Sequence, residues 1–381
     1  MQNFDKPIWW TKRIEKLLRL SSQHENLLVY FKDAIIDKAM NLKSQSALSN
    51  ILYAMKANFN PEILKLIAKK EIGFECVSTG EISHLMATIP KLNKSKILFT
   101  PNFAPKSDYM FALDKGITVT VDNIYPLMKW PEIFYQKDIF LRIDLNIGDG
   151  HHSFVNTGGD LSKFGIPVDE LSNLMKVITK NKINIIGLHT HSGSGILDPE
   201  SWYKAAKKLI NIAIRFPNIR IINLGGGIPI RDKTSDECFD LNLLNSHLLK
   251  LKKKYPKYDF WLEPGRYLVG ESGVILTKVT QLKKKGTQSY IGVEVGMNTL
   301  IRPALYGAFH EIINLSRCLE PKTQLVSIVG PICESGDKLG DNRKFPISFE
   351  GDTILIANTG AYVRSMASNY NLRDIPEELM I

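Results

Sequence analysis

The chain has 381 residues, with 49 Lys plus Arg against 39 Asp plus Glu and a formal net charge of +10. Hydrophobic residues make up 44% and charged residues 23%, ordinary globular values that exclude a disordered or fibrous protein. At about 100–200 residues per domain, the length calls for two domains or for one large barrel with an addition.

No apolar run approaches the roughly 18–20 residues of a membrane helix. The opening MQNFDKPIWWTKRIEKLL lacks an apolar h-region and a small-residue cleavage site. A cytoplasmic, reduced protein without a signal peptide is therefore expected. The four cysteines, at 76, 238, 318 and 333, have neither metal nor disulfide spacing. Lysine runs at 250–254 and 283–285 read as solvated faces, and no aromatic-interleaved basic motif points to nucleic acid.

In chain order, NLLVYFK (26–32) is a strand candidate that precedes the main body. From about residue 50, short β-rich runs alternate with helical periodicity. The runs are Ile51–Met55, Gly73–Val77, Ile97–Thr100, Thr118–Val121, Ile139–Asp144, Ile185–His189, Arg220–Leu224 and Asp259–Glu263. Between the first two, Asn60 has cap character, Pro61 occupies the first helical position, and Ile63, Leu64 and Ile67 share a face. Ser78 and Glu81 have capping-box spacing. Eight strands, each with room for a helix behind it, predict a (β/α)8 TIM barrel. An open doubly wound sheet would show fewer strands and a glycine fingerprint after the first.

Beyond Gly270 the pattern changes: VILTKVTQL, SYIGVEV, TQLVSIV and DTILIAN are β-rich and separated by turns. The expected organisation is an N-terminal segment, 1–32, contributing to a β domain, then a barrel over 33–269, then a C-terminal all-β domain over 270–381.

In such barrels, function collects at the C-terminal strand ends, and the unusual residues fall there. Lys56 follows the first strand, in YAMKAN; such a lysine is either ion-paired or used covalently. The sixth strand runs into HTHSGSG, with His189, His191 and Ser194. No third metal ligand lies at a recognisable spacing, so no metal site is expected. His191 suits stacking on a planar ring, or else a structural hydrogen bond. Gly225, Gly226 and Gly227 end the seventh strand, either as a simple turn or as a nest of N–H groups ahead of a helix, a frequent barrel phosphate site. EPGR ends the eighth and puts Glu263 and Arg266 at the barrel mouth, as an internal ion pair or as separate partners of a ring nitrogen and an anion. An amine, a stacking imidazole, a phosphate nest and a ring-nitrogen carboxylate together meet the requirements of pyridoxal 5′-phosphate. A barrel hydrolase with paired carboxylates fits less well, because only one strand end offers a Glu.

These residues resemble the fold-type III pyridoxal-phosphate-dependent decarboxylases, the alanine-racemase-like barrel group, from about residue 26 onward. The carrying stretches are YAMKAN, FECVSTGE, SKFGI, HTHSGSG, GGG, EPGRYLV, GMNTLIRPALYGAFHEI, GPICESGD and GAYVRSMASNYN. Within that group the stretches look more like the diaminopimelate decarboxylase branch, and RIDLNIGDGHH with TGG is similar to the decarboxylase part of bifunctional aspartokinase–decarboxylases. No kinase portion occurs in this chain.

The resemblance implies that Lys56 bonds the cofactor covalently, His191 stacks on its ring, and Glu263 pairs with its nitrogen. Ser194, the three glycines, Arg266 and Tyr362 would hold the cofactor. Arg266, Arg302, Tyr306, Glu334 and Tyr362 would contact substrate, and Cys333 would act as a proton donor delivered across a homodimer interface. The implied reaction converts meso-2,6-diaminopimelate to L-lysine and CO2. Arg302 suits the distal carboxylate and Glu334 the distal ammonium, whereas ornithine offers no distal carboxylate. The alternative is a decarboxylase of lysine, ornithine, arginine or carboxynorspermidine. A racemase of the same fold normally places Arg, not Glu, at the ring nitrogen. Two departures from the family pattern are the tandem Trp9 and Trp10, in place of a glycine-rich opening, and the 146–163 loop with its HH and TGG.

Overall fold

The computed structural model describes residues 8–146, 162–233 and 236–381, so most of the 146–163 loop lies outside the described residues. The chain divides into two compact units. One comprises Ile36–Ile230 and Glu237–Leu268, the other Met1–Ile35, Arg231–Asp236 and Val269–Ile381.

The first unit is the predicted barrel. A short strand β1, Leu27–Tyr30, belongs to the other unit; the barrel then runs through β2 (Leu48–Ala54), β3 (Gly73–Cys76), β4 (Ile97–Phe99), β5 (Thr118–Val121), β6 (Asp138–Asp144), β8 (Asn184–His189), β9 (Ile221–Asn223) and β10 (Asp259–Leu262), with a two-residue β7 (Ile166–Pro167) added beside β6. Every ladder is parallel. The sheet closes because β5 pairs with β6 (Val119 opposite Ile139) and β10 with β2 (Leu262 opposite Ile51). The eight runs read from the sequence are these eight strands.

Strands of a parallel barrel are buried on both faces, which accounts for their nearly continuous Val, Ile and Leu content. Leu52, Leu98 and Phe140 form an interior layer with Ile186, Ile221 and Trp261. Phe140 reaches the axis because Gly187 faces it: a Cβ there would stand 2.4 Å from the Phe140 ring. The outer helices follow the local signals. Asn60 Oδ1 accepts from the Glu62 N–H (2.9 Å) ahead of the helix Pro61–Lys69, which buries Ile63, Leu64 and Ile67. Ser78 Oγ accepts from the Glu81 N–H (3.1 Å), and the Glu81 carboxylate reaches back to the Val77 N–H (2.7 Å), a capping box displaced by one residue.

The second unit is a mostly antiparallel sheet of β1, β11 (Gly273–Lys285), β12 (Gln288–Val293), β13 (Ile312–Asn314), β14 (Gln324–Val329), β15 (Lys338–Phe345), β16 (Thr353–Ala357) and β17 (Glu377–Met380). The long β11 is its spine. Its first half pairs antiparallel with β1 on one side and β16 on the other; past an irregularity at Val279–Gln281 it pairs with β12. Leu27, Val29, Val274, Leu276 and Leu355 form its core with Trp10 and Leu17 from the entry segment. Trp9 stacks on Phe31 at 5.0 Å and donates its indole N–H to the Glu271 carbonyl (2.9 Å). The tandem tryptophans therefore fasten the entry segment to this sheet.

Candidate active site

The barrel's polar residues meet at the C-terminal ends of its strands. Lys56 lies in a 3-10 turn, Met55–Ala57, that ends β2. The turn is held by Tyr53, whose buried hydroxyl donates to the Asn58 carbonyl (2.9 Å), and by Ala54 N–H, which donates to Pro264 O (3.2 Å). Lys56 Nζ donates to Glu75 Oε2 at 2.9 Å. Glu75 ends β3 and is buried; the expectation that a single strand end offers a glutamate is thus corrected, since two do. Burial pushes the Glu75 carboxyl upward, Lys56 pulls it down, and nearby Glu263 adds to the upward push.

Glu263, just past β10, has both oxygens engaged. Oε1 accepts from Asn223 Nδ2 (2.7 Å), and Oε2 faces His189 Nε2 (3.0 Å). Of the two pairings left open by the sequence, Glu263 takes His189 and Asn223 rather than an ion pair with Arg266. Burial opposes its ionisation, but His189, Lys56 and the Asn223 hydrogen bond outweigh that and hold its carboxyl at about 2. It is a fixed, buried anion.

His191 shows its tautomer. The Gly226 N–H donates to its Nδ1 (3.2 Å), so Nδ1 carries no proton. Burial, followed by the charges of Arg142, Lys56 and His189, holds its pKa well below the ordinary histidine value. A neutral imidazole with its proton on Nε2 is what remains.

The glycine run follows β9 in a conformation that needs it. Gly227 has φ +99°, and a Cβ at that residue would stand 2.4 Å from the Gly193 carbonyl; at Gly226 it would stand 2.5 Å from the Glu263 carbonyl. The expected nest ahead of a helix needs correction. Among the described residues the next helix begins at Leu241. The Gly225 and Gly226 N–H groups already donate to Asn223 Oδ1 (3.0 Å) and to His191. Gly227 O accepts from the N–H groups of Gly195 (2.9 Å) and Ile196 (3.2 Å), which ties the loop after β8 to the loop after β9. Ser194 rides on that loop, and Arg266 Nη2 lies 3.5 Å from its hydroxyl. A hydroxyl and a guanidinium beside glycine backbone make an anion cradle, with less help from free N–H groups than three glycines suggested.

Arg142, on β6, is buried over the Phe164 ring at 4.4 Å, and its Nη2 has no hydrogen-bond partner among the described residues. A buried guanidinium with an unused N–H is costly unless something anionic or polar is to be received there. Arg142, Glu75 and Asn223 were not singled out in the sequence. The available signal was polarity: Glu75 in GFEC and Asn223 in IIN are polar residues of otherwise apolar barrel strands, and Arg142 is the one cation within DIFLRID.

The remaining predicted residues lie in the β unit. Arg302 opens a short helix, Arg302–Tyr306, and is almost fully buried; Tyr306 ends the helix half-buried. Arg302 Nη1 lies 3.4 Å from His310 Nε2, and His310 Nδ1 donates to the Ala357 carbonyl (2.9 Å). That bond places the ring proton on Nδ1 and turns the Nε2 lone pair toward Arg302. Cys333 and Glu334 are exposed on the loop between β14 and β15. Tyr362 is half-buried with φ +60°, a left-handed conformation that is rare for a bulky side chain and is typical of functional sites.

Residues 32–270 match the pyridoxal-dependent decarboxylase, pyridoxal-binding domain family. The chain is 35% identical to the diaminopimelate decarboxylase of Methanothermobacter thermautotrophicus, over 87% of this chain and 79% of that protein. It is 33% identical to that of Buchnera aphidicola subsp. Acyrthosiphon pisum, over 97% and 92%. The crystal structure of the Helicobacter pylori diaminopimelate decarboxylase complexed with L-lysine superposes with a TM-score of 0.89 at 30% identity, covering 96% of this chain and 94% of that one. With a buried anion, an amine and a neutral imidazole ordered around one barrel mouth, the chain belongs to the pyridoxal-dependent decarboxylases, in their diaminopimelate decarboxylase branch.

Proposed function

We propose that this protein binds pyridoxal 5′-phosphate at the barrel mouth and decarboxylates meso-2,6-diaminopimelate at its D-centre, giving L-lysine and CO2. The observation that carries the reading is the ionised, doubly hydrogen-bonded Glu263. A carboxylate that stays charged while buried is suited to keep a ring nitrogen protonated. The residues present fit the cofactor. Lys56 supplies the amine, Ser194 and Arg266 offer donors to a phosphate, and Arg142 Nη2 is a buried donor with no hydrogen-bond partner among the described residues.

Bound there, the cofactor supplies an electron sink for the pair left behind when CO2 departs. The chain's own residues do the rest. Lys56 would hold the cofactor through its amine, and Glu75, which accepts from Lys56 Nζ at 2.9 Å, stands beside it as a group that can take or return the amine's proton. Neutral His191 would offer the cofactor ring an uncharged stacking face. Arg302 grips the distal carboxylate, His310 orients it, Glu334 receives the distal ammonium, and Tyr306 and Tyr362 complete the contacts to substrate and cofactor. Cys333 gives its thiol proton to the carbon that lost CO2 and regains one from solvent. Because Cys333 and Glu334 stand on an exposed loop, the reading includes a homodimer in which that loop serves the partner's barrel. The solved relative with L-lysine bound supports the assignment of product.

The test is CO2 release by cofactor-loaded protein offered meso-diaminopimelate, L-lysine and L-ornithine side by side. Release from diaminopimelate with formation of L-lysine is the expected result. Preference for L-lysine or L-ornithine overturns the substrate assignment and removes Arg302 and Glu334 from their roles.

A further inference from the structure

The loop bearing Cys333 and Glu334 is firmly held at its base. Asp337 accepts from the Met297 N–H (2.6 Å) and the Ile332 N–H (2.7 Å), and its own carbonyl accepts from Gly330 N–H (3.2 Å). At the tip, the two side chains are held from a different segment. Asn371 Oδ1 accepts from the Cys333 N–H at 3.0 Å, and Asn371 Nδ2 lies 3.1 Å from Cys333 Sγ. Tyr370 donates its hydroxyl to Glu334 Oε1 at 2.6 Å. That segment is anchored in turn, since Ser368 N–H donates to Asn298 O (2.8 Å), beside Met297 in the loop that also holds Asp337.

The orientation of the Asn371 amide follows from its partners. A backbone N–H needs an acceptor, so the oxygen faces Cys333 N and the NH2 faces the sulfur. Asn371 sits at φ +55°, in the left-handed region that asparagine tolerates better than most residues.

We infer that Asn371 and Tyr370 are positioning residues for the reaction: Asn371 aims the Cys333 proton and Tyr370 aims the Glu334 carboxylate. This rests on the reading of Cys333 as proton donor and Glu334 as ammonium acceptor. An amide N–H donated to sulfur occupies one side of Sγ and leaves the S–H proton to point elsewhere. Once that proton has moved to carbon, the same N–H stabilises the thiolate until solvent reprotonates it. Tyr370 occupies one oxygen of Glu334 and leaves the other for a cation. Its phenol is pushed up to about 12, chiefly by the Glu334 hydrogen bond and charge, so it stays a donor through the working pH range.

Cofactor-loaded Asn371→Asp keeps the acceptor for Cys333 N–H but replaces the donor with a negative charge. Its kcat should fall about ten-fold or more, with KM unchanged and a larger solvent deuterium isotope effect as proton delivery becomes slower. Asn371→Gly, which accepts the same backbone conformation, should show the same split and guards against a folding defect in the first variant. Tyr370→Phe should raise KM several-fold and leave kcat nearly unchanged. Wild-type kcat and isotope effect in both Asn371 variants, with Cys333→Ala inactive, overturn the inference alone. Full turnover by Cys333→Ala overturns the reading beneath it.

Discussion

At the barrel mouth, Glu75, His189, Asn223 and Glu263 are each 6% exposed or less, and three of them are joined by hydrogen bonds. In the β unit, by contrast, Cys333 and Glu334 stand on an exposed loop tip, braced by one hydrogen bond from Tyr370 and two from Asn371. The difference teaches how two kinds of task are met. A cofactor that stays bound is matched by groups whose charges are set by burial and by one another, where a low local dielectric makes each interaction strong and each loss expensive. On the proposed reading, Cys333 and Glu334 meet substrate once per turnover and need direction more than a fixed charge, which a few hydrogen bonds on an accessible loop supply.

That contrast can be broken most forcefully at Lys56. Lys56→Ala should abolish the visible absorbance of the protein-bound cofactor and lower CO2 release by about 10³-fold or more. An unchanged spectrum would remove Lys56 from the cofactor site. Next comes the exposed loop: Cys333→Ala should keep cofactor absorbance and lose about 10²–10⁴-fold in kcat. Mixing inactive Lys56→Ala with inactive Cys333→Ala should restore part of the activity under subunit exchange, because a hybrid dimer would contain one intact site. No recovery counts against shared sites.

A smaller effect sharpens the buried half. The Glu263 carboxyl is held at about 2 in the folded protein, below the unfolded value of about 4.3. A depressed acid contributes stability that is complete above the unfolded pKa and is lost as pH falls through the folded one. Urea midpoints of the cofactor-free protein and its Glu263→Gln variant should therefore differ most above about pH 4.3 and converge toward pH 2. A gap independent of pH would mean that Glu263 is not a buried anion. The smallest effect is expected at His310→Asn, which loosens Arg302: KM for diaminopimelate should rise several-fold, about the net worth of one ordinary hydrogen bond, with kcat little changed.

Much of the architecture was legible because its causes are local. Parallel strands buried on both faces require runs of Ile, Val, Leu and Phe, and the caps Asn60 and Ser78 announce their helices within four residues. The functional motifs were legible where glycine, histidine and charge cluster: HTHSGSG, GGG and EPGR all lie at the barrel mouth. Glu75, Arg142 and Asn223 were less legible because each lies in a short, mainly apolar strand, and the groups that Glu75 and Asn223 meet are distant in sequence, Lys56 being 19 positions from Glu75 and Glu263 being 40 from Asn223.

By itself, then, the sequence determined the number and order of the barrel strands, the helix starts at Asn60 and Ser78 and the residue types available at each barrel strand end, whereas β7, β13, β15 and β17 emerged only in the structure, since period and capping act over a few residues and short or polar strands carry little of either. Tertiary structure alone decided which charges meet. Glu263 took His189 and Asn223 in place of Arg266, two glycine N–H groups were spent on Asn223 and His191, and Asn371 came to hold Cys333 across 38 residues. Coulomb and hydrogen-bond partners are chosen by distance in space, and only closure of the barrel and of the sheet brings those atoms within 3 Å or so.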